Sequence, residues 1–150
     1  MSSAAKSGRD RLAERLQRDI RYLIAFSMLA NEQIARTMGI NVVDQQALGL
    51  MELAGRPLAA GEIAALVHLP SSTVTRVIDR LSAAGFVTRS ADPTDRRKVI
   101  VEVNRAKLAT FFGDYAEHVD NMVDVNAGFT EEELQTVARY LEELRPKDDL

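Results

Sequence analysis

Between Leu58 and Val103 the apolar period changes from helical to strand-like, and that switch limits the folds open to the chain. At the centre lies Ser71-Ser72-Thr73-Val74-Thr75-Arg76-Val77-Ile78-Asp79-Arg80-Leu81. Wound as a helix at ~100° per residue, it puts Val74, Val77, Ile78 and Leu81 on one side. Ser72, Thr75, Arg76 and Asp79 fall on the other, with Thr73 and Arg80 on the shoulders. Short hydroxyl side chains let a helix N-terminus come close to a polyanion, where its unpaired N–H groups favour phosphate. An arginine one turn further on can reach a guanine edge bidentately. The chemistry is that of a DNA recognition helix, against the plainer alternative of a solvated face.

The neighbouring segments fit that reading. Ala60 to Val67 forms a short helix burying Ile63, Leu66 and Val67, and His68-Leu69-Pro70 makes a turn from which Pro70, Ser71 and Ser72 can start the next helix. Two short helices joined by a tight turn make a helix-turn-helix. Ala83-Ala84-Gly85 ends the second, with Gly85 as a left-handed cap. Phe86 to Ala91 and Lys98 to Val103 are β-branched and alternating, and Asp92-Pro93-Thr94-Asp95-Arg96-Arg97 between them has turn chemistry. This is a β-hairpin, a wing, with Arg96 near its tip. A narrow projecting arginine suits the negative potential of the minor groove.

Long helices flank this centre. From about Asp10 to Met38, Leu12, Leu16, Ile20, Leu23, Ser27 or Met28, and Ile34 recur at helical spacing, with Arg11, Arg15 and Arg18 on the polar side. Such a length exceeds one small core, so a second copy of the chain is the economical partner for its first part. Asn41 with Asp44 can cap a helix running to Ala54 that buries Ala47, Leu48 and Met51. Arg56-Pro57-Leu58 reads as a short extended piece. Asn104 to Ala127 is expected to be one long helix with Leu108, Phe111, Phe112, Tyr115, Val119, Met122 and Val123 as its stripe. Thr130 and Glu133 box the start of a last helix, whose apolar face is Leu134, Val137, Ala138, Leu141 and Leu144. The fold class is therefore mainly α with a small β-hairpin wing: a winged helix-turn-helix over 40–103, flanked by dimerisation helices at 10–38 and within 104–145.

Charge is distributed in keeping with this plan. The net charge is −3, yet residues 56–105 carry 8 basic against 5 acidic residues while 106–150 carry 4 against 11. A basic middle facing DNA would hold the acidic part away from the phosphates. With no cysteine, disulfides, thiolate sensing and cysteine nucleophiles are excluded. His68 and His118 are too few and too separated for a metal site and read as surface or packing residues. There is no phosphate-cradling glycine loop and no evident carboxylate pair, so neither an enzyme nor a cofactor is indicated. The N-terminus lacks a signal-peptide core and no apolar run is long enough for a membrane span, which makes a cytoplasmic location the expectation.

The order of elements resembles the MarR family of winged-helix transcription regulators. The resemblance is carried by Ser71 to Leu81, by Gly85-Phe86-Val87, and by the wing sequence Asp92-Pro93-Thr94-Asp95-Arg96-Arg97. It implies a homodimer on a pseudo-palindromic operator, a repressor of nearby genes relieved by a small aromatic acid-like ligand. By matching position, Ser72, Thr73, Thr75 and Arg76 would touch bases and phosphates, and Arg96 would enter the minor groove. Ser71, Arg80, Arg97 and Lys98 complete the expected DNA-facing set, while Asp95 and Arg97 would also pair to hold the wing. Tyr22, Phe26, Met51, Phe111 and Tyr115 could line the ligand pocket, against the alternative that they are plain core. Two positions depart from the family pattern. Ala59 stands where a capping threonine is usual, and Val103-Asn104-Arg105-Ala106-Lys107 replaces Leu-Thr-x-x-Gly, with Asn104 as a substitute cap. The competing class is a winged-helix interaction module that has lost DNA binding.

Overall fold

A computed structural model describes residues 7–92, 95, 98–111 and 125–145. The chain divides into two compact units, Met1–Gln46 and Ala47–Leu150. The first is built on α1, Gly8–Met38. Ser7 caps it, accepting from the Asp10 N–H at 3.1 Å while its own N–H donates to the Asp10 carboxylate at 3.1 Å. The helix stops where Gly39 turns left-handed at φ 68°, satisfying carbonyls of the last turn. The next helix, α2, spans Val42–Ala54 and so crosses from the first unit to the second. Asn41 caps it as expected, accepting from the Asp44 N–H at 2.9 Å. The Asp44 carboxylate, only 1% exposed, receives the Asn41 side-chain amide at 2.7 Å. The Asn41 side chain thus both accepts from and donates to Asp44, tying the start of α2 together.

The second unit holds the switch in period. β1, Leu58–Ala59, leads into α3, Ala60–Val67, then α4, Ser71–Ala83. β2, Val87–Ala91, and β3, Val99–Val103, form the wing. The sheet is antiparallel in the order β1-β3-β2, with Leu58 opposite Val101 and Arg89 opposite the same residue from the other side. Of the extended piece expected at Arg56-Pro57-Leu58, only Leu58 enters a strand, the short edge strand Leu58–Ala59, a role the sequence left unassigned. Ile63 from α3, Val74, Val77, Ile78 and Leu81 from α4, and Phe86, Val87 and Val101 from the hairpin are all buried, as are Leu48 and Met51 of α2. On α3 only Ile63 is fully enclosed, and Leu66 and Val67 are half-buried.

One expected element is interrupted. The helix after the wing, α5, covers Arg105–Ala109 and does not continue unbroken from Asn104 to Ala127. Thr110 and Phe111 bond back three residues, to Lys107 and Leu108, and the Thr110 hydroxyl also donates to the Lys107 carbonyl at 2.7 Å. Bonds to the third residue back are those of a tightened last turn, and α5 ends there. Phe111 instead places its ring 5.6 Å from that of Phe86. Phe112, Tyr115, His118, Val119, Met122 and Val123 lie outside the described residues. The last helix, α6, spans Glu131–Glu143 and carries the predicted Thr130 and Glu133 box.

Candidate nucleic-acid interface

The two faces of α4 separate as the periodicity requires. Val74, Val77, Ile78 and Leu81 are buried, whereas Ser71, Ser72, Thr75, Arg76, Asp79 and Arg80 are exposed and Thr73 is half-buried. Pro70 precedes the helix and supplies no side-chain cap; its carbonyl accepts from Thr73 and Val74. No side chain thus caps the opening turn, and its electropositive end suits an anion. Arg80 sits in the last turn, where a cation suits the opposite end of the helix dipole.

Thr75 departs from the simple reading of a free hydroxyl. Its Oγ1 donates to the Ser71 carbonyl at 2.9 Å, so the proton is committed within the helix. What remains for a partner is its methyl group, suited to a thymine methyl, and the oxygen lone pairs.

Asp79 would place a carboxylate on the same exposed face, but Arg89 of β2 binds it. The wing strand thus neutralises the acid on the helix beside it. Arg89 was not among the residues singled out from sequence. Nothing in the spacing of Asp79 and Arg89 announces the pair, because the hairpin register decides which strand residue faces α4.

At the wing, the Asp95 N–H donates to the Asp92 carboxylate at 3.2 Å, and Lys98 closes the loop with backbone bonds to Asp95 at 2.8 Å and Asp92 at 2.9 Å. Arg96 and Arg97 lie outside the described residues, and with them the Asp95–Arg97 pairing. Lys98 is exposed, and its charge helps hold the Glu62 carboxyl below its usual range. The larger causes of that depression are the hydrogen bond from Arg56, 2.7 Å, and the Ala59 N–H, 2.8 Å. Glu62 thereby caps α3 from inside the helix, which explains how Ala59 replaces a capping side chain.

The candidate ligand residues have different surroundings. Tyr22 and Phe26 stack on each other on α1 with ring centroids 6.3 Å apart, and Tyr22 is 69% exposed. Met51 is 2% exposed and packs in the core, Phe111 lies against Phe86, and Tyr115 is outside the described residues. His68 is an exposed left-handed C-cap of α3 at φ 51°. Among the described residues no group of three His, Asp or Glu side chains could hold a metal, and no helix is long and apolar enough to cross a membrane.

A helix-turn-helix whose second helix exposes hydroxyls and arginine, followed at once by an antiparallel hairpin, defines a winged helix-turn-helix. Comparisons with known proteins agree. The MarR family model matches residues 46–99. The chain is 30% identical over 107 residues to the HTH-type transcriptional regulator MhqR of Bacillus subtilis, covering 69% of this chain and 70% of that one. Among solved structures it resembles the transcriptional regulator Tm0710 of Thermotoga maritima, with TM-score 0.61 and 26% identity over 87% of this chain and 92% of the other. An S. aureus MepR mutant bound to an oligodeoxyribonucleotide shares the fold, with TM-score 0.57 and 16% identity over 86% and 94% of the two chains. The chain belongs to the MarR family and is a DNA-binding transcriptional regulator of the winged-helix class. Its relatives are regulators, not enzymes.

Proposed function

We propose that the chain is a homodimeric, sequence-specific repressor acting from the cytoplasm on nearby genes. Two copies of α4 would enter successive major grooves of a pseudo-palindromic operator about one turn (~34 Å) apart. The observation that carries this reading is the partition of α4, with four aliphatic residues buried and Ser72, Thr75 and Arg76 exposed beside a wing. In this role Ser71, Ser72 and the first-turn N–H groups bind phosphate, Thr73, Thr75 and Arg76 approach bases, and Arg80 and Lys98 add positive charge. Arg96 reads the minor groove, and Arg97 binds nearby phosphate and pairs with Asp95. The DNA-bound MepR structure supports the same use of this fold.

Dimerisation is supported by apolar faces that are exposed among the described residues. Leu12, Leu16, Leu23 and Met28 on α1 are exposed, and so are Val137, Leu141 and Leu144 at α6. Exposed stripes of this size mark interaction surfaces. For a ligand, Tyr22 and Phe26 offer exposed aromatic surface to a small aromatic acid, Phe111 and Tyr115 stay candidates on the family resemblance alone, and the burial of Met51 gives it a packing role. Such a ligand relieves repression only by binding the DNA-competent and DNA-incompetent dimers unequally.

The test is DNA affinity measured against salt. The logarithm of affinity should fall linearly with the logarithm of salt concentration. Arg76→Ala should cost about 1–3 kcal/mol and relax sequence preference at one position, whereas Arg96→Ala should weaken binding more evenly. A flat salt response, or two silent substitutions, would reject DNA recognition by this surface and favour the interaction module.

A further inference from the structure

The turn that ends α4 is tied to the start of α5 by both ends of the Asn104 side chain. Gly85 adopts φ 77°, a left-handed conformation that costs glycine little, and so carries the chain round from α4 into the hairpin. The Asn104 Nδ2–H group donates to the Gly85 carbonyl at 3.1 Å. The Oδ1 of the same side chain accepts the Lys107 N–H at 3.1 Å, capping α5. The backbone N–H of Asn104 donates to the Phe86 carbonyl at 2.8 Å, and the Phe86 N–H donates to the Leu81 carbonyl of α4 at 2.9 Å. Above this knot the Lys107 ammonium lies 5.3 Å from the centroid of the buried Phe86 ring.

We propose that Asn104 is a positioning residue for sequence recognition. It fixes the angle at which α4 presents Ser72, Thr75 and Arg76 by locking the C-terminal end of that helix to the first turn of α5. The proposal rests on the DNA-recognition reading above. Its chemistry is specific to a carboxamide, which offers an acceptor and a donor at the two corners of one planar group. Aspartate caps a helix as well as asparagine does. At this position, however, it would set an oxygen against the Gly85 carbonyl where a donor is needed. Serine keeps the cap on an arm too short for the second bond.

A cap alone and a clamp therefore rank the variants differently. If Asn104 only capped α5, Asn104→Asp would behave as wild type and Asn104→Ala would be the damaged form. A clamp groups Asn104→Asp with Asn104→Ala in recognition although the cap survives. The experiment uses the full chain, with duplexes selected from a random-sequence pool by the wild-type protein and an unselected duplex of equal length. We expect Asn104→Asp to reduce the ratio of selected to unselected affinity by about tenfold, with the salt dependence on the unselected duplex unchanged. Amide exchange at Phe86 and at position 104 should quicken about tenfold while the Lys107 N–H stays protected. Should Asn104→Asp fail to fold, Asn104→Ser carries the same comparison, with the cap kept and the tie to Gly85 lost. An unchanged ratio with unchanged exchange at Phe86 overturns the proposal and leaves Asn104 a simple cap. A wild-type protein that selects no duplex also overturns it, by removing recognition itself; exchange at Phe86 then tells that failure apart from the absence of a tie.

Discussion

Cutting the Asp79–Arg89 pair offers the sharpest check on which way α4 faces. The side chains are 55% and 38% exposed, so solvent screens the pair and its contribution to stability is at most about 1 kcal/mol. Asp79→Asn and Arg89→Ala should each lower the melting temperature by no more than about 4 °C. Their effects on DNA should be larger and opposed. Without Arg89, an uncompensated carboxylate stands on the face proposed to turn to the phosphates. At ~6–8 Å in a water-like medium each phosphate contributes about 0.5–0.7 kcal/mol of repulsion. Two phosphates per half-site and two half-sites in a dimer bring this to about 2–3 kcal/mol, a loss of roughly thirty- to a hundredfold. Asp79→Asn should bind at least as tightly as wild type. Decisive is the double variant, which should recover to within about threefold of Asp79→Asn because the charge Arg89 neutralised is gone. Fluorescence anisotropy at one fixed ionic strength measures all four proteins. A double variant as weak as Arg89→Ala would show that Arg89 itself holds phosphate, and an Arg89→Ala protein that binds normally would refute the orientation altogether.

Three further outcomes follow from the same geometry. Ile63→Ala removes a side chain with no exposed surface from the meeting point of α3, α4 and the sheet, and should cost about 2–5 kcal/mol in a urea titration. The carboxyl of Glu62 is depressed by its bond from Arg56, so the cap it gives α3 is present above the ordinary carboxylate range and is lost as pH falls through the lowered value. Glu62→Gln should flatten that acid-side part of the stability–pH curve, and an unchanged curve would deny the cap its charge. Leu16→Glu combined with Leu141→Glu alters two exposed stripes without touching the buried core, so sedimentation should report a folded monomer, while an intact dimer would move the interface elsewhere.

Local chemistry made most of the second unit readable. The start of α4 at Ser71, the left-handed Gly85, the hairpin strands and the Thr130 and Glu133 box each depend on residues within one or two turns of each other, and sequence carries that information directly. What escaped it depends on register or on competition. Arg89 meets Asp79 only because β2 pairs with β3 in one alignment and not in the alignment one residue away, which would point Arg89 to the opposite face. The stop after Ala109 escaped because apolar spacing from Leu108 to Val123 suits a helix, while the tightened turn at Thr110 and Phe111 and the contact of the Phe111 ring with Phe86 are not written in that spacing. Asn104 joins both kinds of information. As a cap it is visible from its place before Arg105, yet its second bond, to Gly85 nineteen residues earlier, exists only after the hairpin has closed. That distant bond ties the direction of the recognition helix to the element that follows the wing. A substitution that preserves every local preference there, asparagine to aspartate, can therefore still disturb the reading of DNA.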